Sequence, residues 1–135
     1  MQLALVLIIA LALPLLLIPV EQVWPFPYLI EELAKLGLIF LIFNKGKKIR
    51  KHLIWVILAG IVFTLSESVL YLMNFFTLGS MSNFLARLLL TGGLHVGTMV
   101  LMYLFATKSR KWLFLALPLA MLIHYFFNQW VTVNF

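Results

Sequence analysis

The chain has 135 residues, of which 64% are hydrophobic and 10% charged, with a net charge of +6 and a mean hydropathy of +1.11. This lies far outside the composition of soluble domains, so the chain reads as a single integral membrane domain over residues 1–135 with no room for a soluble one. The absence of cysteine excludes a disulfide scaffold, a thiol nucleophile and a cysteine-ligated metal.

Five apolar runs follow in chain order, at residues 2–20, 26–43, 53–76, 84–106 and 112–130. Each is close to the ~20 residues that cross a bilayer as a helix and too long for a barrel strand, so the fold class expected is all-α: a polytopic helical bundle with about five transmembrane helices. The first run lacks a basic leader and a small-residue cleavage pattern and reads as a retained helix, with Pro14 marking a kink. Basic residues set the orientation. Residues 44–52 carry Lys45, Lys47, Lys48, Arg50 and Lys51, and residues 107–111 carry Lys108, Arg110 and Lys111, whereas the connections at 21–25 and 77–83 have none. The positive-inside rule then places the N-terminus in the cytoplasm and the C-terminus outside. The basic surplus is accounted for by topology and contact with anionic lipid, and nucleic acid is not expected as a partner. Trp24, Trp112 and Trp130 read as interfacial anchors.

Against this apolar background the acidic residues stand out. All four are glutamates, and Glu31, Glu32 and Glu67 interrupt runs that otherwise suit hydrocarbon. An ionisable group at membrane depth costs about 2.5–3.5 kcal/mol on insertion scales, so it is expected to face a protein interior or a wet cavity. The expected orientation places Glu31, Glu32, Lys35, Glu67, His95 and His124 in the outer half of the membrane, at overlapping depth on four helices. Helical periodicity aligns them further. Arg87, Thr91 and His95 recur every fourth residue, with Thr98 three further on; His124 and Asn128 are four apart; Thr64, Glu67, Tyr71 and Asn74 share a face; Lys35 lies within reach of both Glu31 and Glu32. Gly93 and Gly97 form a GxxxG spacing beside Gly92, which suggests close helix approach. A bland alternative accompanies each group: an interfacial ion-pair network for Glu31, Glu32 and Lys35, snorkelling for Arg87, and hydrogen-bonded packing for the histidines.

Hydrolysis needs a base matched to neutral pH, a role suited to the Glu31/Glu32 pair. It also needs donors where negative charge develops, which His124 and Asn128 can offer from one helix face. At this point four motifs carry a resemblance. Glu31-Glu32-Leu-Ala-Lys35 matches an EExxK motif; Phe63-Thr-Leu-Ser-Glu67 looks like an FxxxE helix; Arg87 to His95 resembles a third motif; and His124-Tyr-Phe-Phe-Asn128 matches HxxxN. Together they resemble the PrsW family of intramembrane proteases, related to the CAAX-processing and bacteriocin-immunity (CPBP) glutamate proteases. The resemblance implies a multi-pass protein of the prokaryotic cytoplasmic membrane, an intramembrane endopeptidase that cuts a transmembrane protein of the anti-sigma-factor type near the external face. It implies that Glu31 or Glu32 activates water, that Glu67 and His95 orient it, that His124 and Asn128 stabilise the oxyanion, and that Lys35 holds the glutamates, with Arg87 in support. The chain is short for that family, which leaves room for a homo-oligomer to complete the shielding of the site.

No cofactor is expected to be required. Zinc remains the alternative, on Glu31, Glu67, His95 and His124, although no HExxH is present and Lys35 and Arg87 already bring positive charge; on the metal-free expectation chelators leave activity intact. Two other function classes stand beside the protease: a small proton- or cation-conducting transport protein built on Glu67, His95 and His124, and a non-catalytic binding or immunity protein on the same fold.

Overall fold

The structure is a computed structural model, and it describes residues 2–43, 49–78 and 80–134. The basic residues Lys45, Lys47 and Lys48 lie outside the described residues, as do the side chains of Arg50, Lys51, Tyr71 and Asn74. Five α-helices follow in the expected order: α1 (Gln2–Val23), α2 (Pro27–Ile42), α3 (Ile49–Leu78), α4 (Met81–Lys108) and α5 (Leu113–Asn134), with a single 3-10 turn at Arg110–Trp112 before α5. Segments Leu3–Val23, His52–Val69, Met81–Lys108 and Arg110–Val133 are long and apolar enough to cross a membrane. The chain is therefore a multi-pass integral membrane protein.

The second expected span is shorter than the others. α2 has 16 residues, a rise of roughly 24 Å, against a hydrocarbon core of about 30 Å. It is set into the bundle against all four other helices. Pro27 starts it at a position where the missing N–H costs nothing. One face, Glu31, Glu32, Lys35, Leu38, Ile39 and Ile42, is buried, so the helix runs from a polar end to an apolar end.

Burial follows the same division. The apolar half of the core is built from Leu38, Ile39 and Ile42 of α2, Val56, Ala59 and Phe63 of α3, Met99, Met102, Tyr103 and Ala106 of α4, and Ala116 and Ala120 of α5, with Val6 and Ala10 of α1. Lipid offers no hydrophobic drive between helices, so close packing by small residues has to supply the attraction. The tight point is Gly60, where an added Cβ would lie 3.0 Å from the Val96 Cα. This corrects the reading of the GxxxG spacing: Gly93 and Gly97 have nothing within 4 Å of such a Cβ, and they sit on the outward face of α4, while Gly92 alone meets Thr64 at 3.4 Å. Spacing had shown that the two glycines share a face, not which way that face points. α1 runs through Pro14 and Pro19 and is tied to α3 by the Ser66 hydroxyl, which donates to the Leu11 carbonyl at 2.5 Å.

Ends of the helices are held locally. Ser80 caps α4 by accepting from the Asn83 N–H, and Ser109 accepts from the Lys111 N–H at the turn into α5. The Lys108 ammonium lies 5.9 Å from the centre of the Trp112 ring, at the end of the bundle opposite the buried glutamates. Trp24, Trp112 and Trp130 are each about half exposed, as anchors at a membrane boundary require.

Candidate active site

Four helices converge on one polar cluster. α2 presents Glu31, Glu32 and Lys35, of which Glu32 and Lys35 are fully buried. The pair is bonded at 2.5 Å between Lys35 Nζ and Glu32 Oε1. Isolated charges here would each cost several kcal/mol, and direct pairing offsets much of that. Thr98 of α4 stands against both groups, its hydroxyl 3.4 Å from Nζ and 3.5 Å from Oε1. The Phe63 ring of α3 lies 5.5 Å from the ammonium, within cation–π range. Lys35 is thus committed to Glu32; among the described contacts it makes no ion pair with Glu31.

The two histidines meet the glutamates from opposite sides. On α5, His124 places Nδ1 2.8 Å from Glu32 Oε1 and Nε2 3.7 Å from Glu31 Oε2. On α4, His95 places Nε2 2.5 Å from Glu67 Oε2 of α3. The imidazole rings lie 5.6 Å apart and nearly perpendicular, with Phe63 5.1 Å from His95 and Tyr28 6.3 Å from His124. Buried aromatic walls of this kind restrict both rings to few rotations.

A cavity of about 340 Å³ opens beside the cluster. Glu31, Glu67, His124, Asn128, Arg87 and Thr91 all contribute to its wall, and Pro27 and Thr132 place it toward the end of the bundle where α2 begins and α5 finishes. Every sequence-expected site residue is therefore in or directly behind one cavity: Glu32, Lys35 and His95 are buried behind the wall, and the others line it. The Glu31/Glu32 ambiguity acquires a geometric distinction. Glu31 lines the cavity, whereas Glu32 lies behind it with Oε1 turned to Lys35 and His124; each keeps a buried Oε2 with no hydrogen-bond partner.

Sequence reasoning missed Glu21, which also lines the cavity. The apolar runs leave it in a connection, but α1 continues to Val23, so Glu21 falls in the last turn of a helix with a defined facing. Thr98 appeared only as part of a stripe. Its proximity to the Lys35–Glu32 pair depends on how α2 and α4 cross, for which a single helix carries no signal.

The donor set suits a divalent cation. Glu31, Glu67 and His95 each offer one ligand atom, and these atoms lie within 4.8 Å of one another. The cavity wall carries three glutamates, Glu21, Glu31 and Glu67, against the one guanidinium of Arg87, a formal surplus of two negative charges before the histidines are counted. Oxygen and imidazole donors with this convergence fit zinc or a similar ion.

Comparison with known proteins bears on these features together. The family described as PrsW family intramembrane metalloprotease matches residues 22–134. No curated protein and no solved structure matches.

Proposed function

The chain belongs to the PrsW family of intramembrane proteases, and on that premise we propose that it hydrolyses a peptide bond of a membrane-protein substrate at the cavity, with Glu31 as the base. The observation that carries the assignment is the Glu31 carboxylate itself, at the cavity wall with Oε2 buried and lacking a hydrogen-bond partner. A base has to keep an oxygen available for the proton that it removes. Glu32 also has an Oε2 without a hydrogen-bond partner, but it does not line the cavity, and its Oε1 is taken up by Lys35 and His124; position at the wall is what favours Glu31 as the base.

In the reaction a water oxygen adds to the scissile carbonyl carbon as its proton passes to Glu31 Oε2. Asn128, on the α5 wall, donates its amide to the carbonyl oxygen as charge develops there; a donor of this kind is worth about 10²–10³ in rate. The C–N bond then breaks, and the proton held by Glu31 goes to the leaving amine. Glu67 holds His95 beside the cavity. Glu31, Glu67 and His95 would be the residues to hold a divalent metal ion, each through one donor atom. Such an ion, when bound, brings the pKa of a bound water to about 7 and polarises a carbonyl.

The charge pattern supports an external location for the cavity, since the basic segments flank the opposite ends of the helices. Membership of the PrsW family, rather than the charge pattern, suggests the substrate: a transmembrane protein of the anti-sigma-factor type, cut near the external face of a prokaryotic cytoplasmic membrane. The test is a set of single-pass peptides in which one susceptible segment is moved stepwise through the membrane, incubated with reconstituted protein and read by mass spectrometry. Cleavage confined to the external boundary is expected. Cleavage at mid-membrane or at the cytoplasmic boundary would contradict the proposed location.

A further inference from the structure

Glu32, which does not line the cavity itself, determines what His124 can do within it. Lys35 has hydrogen-bond donors and no acceptor, and its ammonium lies 2.5 Å from Glu32 Oε1; that oxygen is therefore an acceptor. The same oxygen lies 2.8 Å from His124 Nδ1. Two acceptors cannot share a hydrogen bond without a proton between them, so Nδ1 carries the hydrogen and donates it to Glu32. In a neutral imidazole the other nitrogen then has a lone pair.

From these contacts we infer that the Lys35–Glu32 pair, flanked by Thr98, fixes His124 as the Nδ1–H tautomer, so that Nε2 faces Glu31 as a second acceptor for the attacking water. His124 is then a catalytic residue on the base side of the reaction, and Lys35, Glu32 and Thr98 are positioning residues that act through it. This inverts the role the resemblance implied, in which His124 donates to the oxyanion; a nitrogen bearing a lone pair cannot donate, and that task stays with Asn128.

The opposing geometry agrees. Nε2 and Glu31 Oε2 lie 3.7 Å apart, with Oε2 buried and lacking a hydrogen-bond partner. Two acceptors at this separation call for a donor close to both. A water bridging the two, with one hydrogen directed to each acceptor, reaches Oε2 once the Glu31 carboxyl turns from its buried position toward the cavity that the residue lines. Rotation of the ring is resisted, since His124 is 3% exposed and sits between Tyr28 and His95. Thr98 lies within 3.5 Å of both charged groups, so it closes the side of the pair that apolar α4 would otherwise leave undersolvated.

The role of the water rests on the hydrolytic reading above, whereas the tautomer stands on the contacts alone, and the experiment separates the two. The full-length protein, labelled with ¹⁵N at the histidine side chains, is reconstituted in lipid nanodiscs and stripped of metal with a chelator. It is then observed by ¹⁵N NMR at a pH well above the range of free imidazole. His124 is assigned by the signals lost in His124→Gln. The expected wild-type spectrum shows His124 protonated at Nδ1 and bare at Nε2, and Lys35→Met shifts it to a mixture of tautomers. A wild-type His124 protonated at Nε2 overturns the inference, and so does a tautomer unchanged in folded Lys35→Met. The wild-type spectrum decides even if Lys35→Met does not fold, and Thr98→Val supplies a milder perturbation of the same pair, for which a partial shift is expected. Absence of proteolysis with the expected tautomer present would count against the hydrolytic reading and leave the tautomer standing.

Discussion

Replacing Lys35 with methionine removes a positive charge while keeping the length of the side chain, and it isolates the energetics of the buried pair. Both partners are inaccessible to solvent and bonded at 2.5 Å. In Lys35→Met, Glu32 stays buried with His124 and Thr98 as its remaining polar neighbours. An uncompensated buried charge costs about 3–5 kcal/mol, and the two surviving contacts place the expected loss near the lower figure, about 3 kcal/mol. The double variant Lys35→Met/Glu32→Gln contains no buried charge at the pair, and the glutamine oxygen can still accept from His124 Nδ1. It should recover about 1–3 kcal/mol relative to the sum of the single variants, the coupling expected for residues in direct contact. Unfolding of the four proteins by denaturant titration in one detergent gives the cycle. A Lys35→Met protein within about 0.5 kcal/mol of wild type, or a double variant that loses the full sum of the two singles, would refute the claim that the pair is held together by charge compensation.

Three further outcomes follow from the same geometry. Asn128→Ala should lower kcat by about 10²–10³ with little change in KM, measured on a cleaved membrane peptide, because the amide acts on charge that develops only in the transition state. Gly60→Ala should cost about 1–3 kcal/mol in the same unfolding assay, since its methyl group meets the Val96 backbone at 3.0 Å, while Gly97→Ala, with nothing within 4 Å, should fall within about 1 kcal/mol of wild type. Purified wild type should retain about one divalent ion per chain by elemental analysis, with the ion lost in Glu67→Gln and in His95→Ala; full cleavage activity after the ion content has fallen to background would restore the metal-free reading.

Much of the architecture was readable because a bilayer limits the alternatives. Run length and punctuation place five helices, and period-four spacing puts Arg87, Thr91 and His95, and likewise His124 and Asn128, on single faces. Depth matching then brings those faces to one site. What could not be read was rotation about each helix axis. Glu31 and Glu32 are adjacent, so their side chains point about 100° apart on the helix, and which of them faces the cavity depends on how α2 packs against α4 and α5. The same limit applies to Gly93 and Gly97, which share a face that proves to be outward, and to Gly60, whose contact with Val96 belongs to the crossing of α3 and α4. Glu21 was hidden by a different cause: tryptophan and proline residues follow it closely and mark a turn, yet α1 extends through Val23 and turns that carboxylate into the cavity. α2 proved shorter than a full span: it starts only at Pro27, ends at Ile42, and carries Glu31, Glu32 and Lys35 in its second and third turns.

The central claim is hydrolysis with Glu31 as the base, and peptide cleavage in H₂¹⁸O tests it most directly. Reconstituted wild type and Glu31→Gln are incubated in parallel with a library of single-pass membrane peptides, and the products are read by mass spectrometry. The account predicts paired fragments that together make up the parent peptide, ¹⁸O at the new carboxyl terminus, and no such pair from Glu31→Gln. Intact peptides after incubation with folded, metal-replete wild type, or equal cleavage by Glu31→Gln, would contradict it.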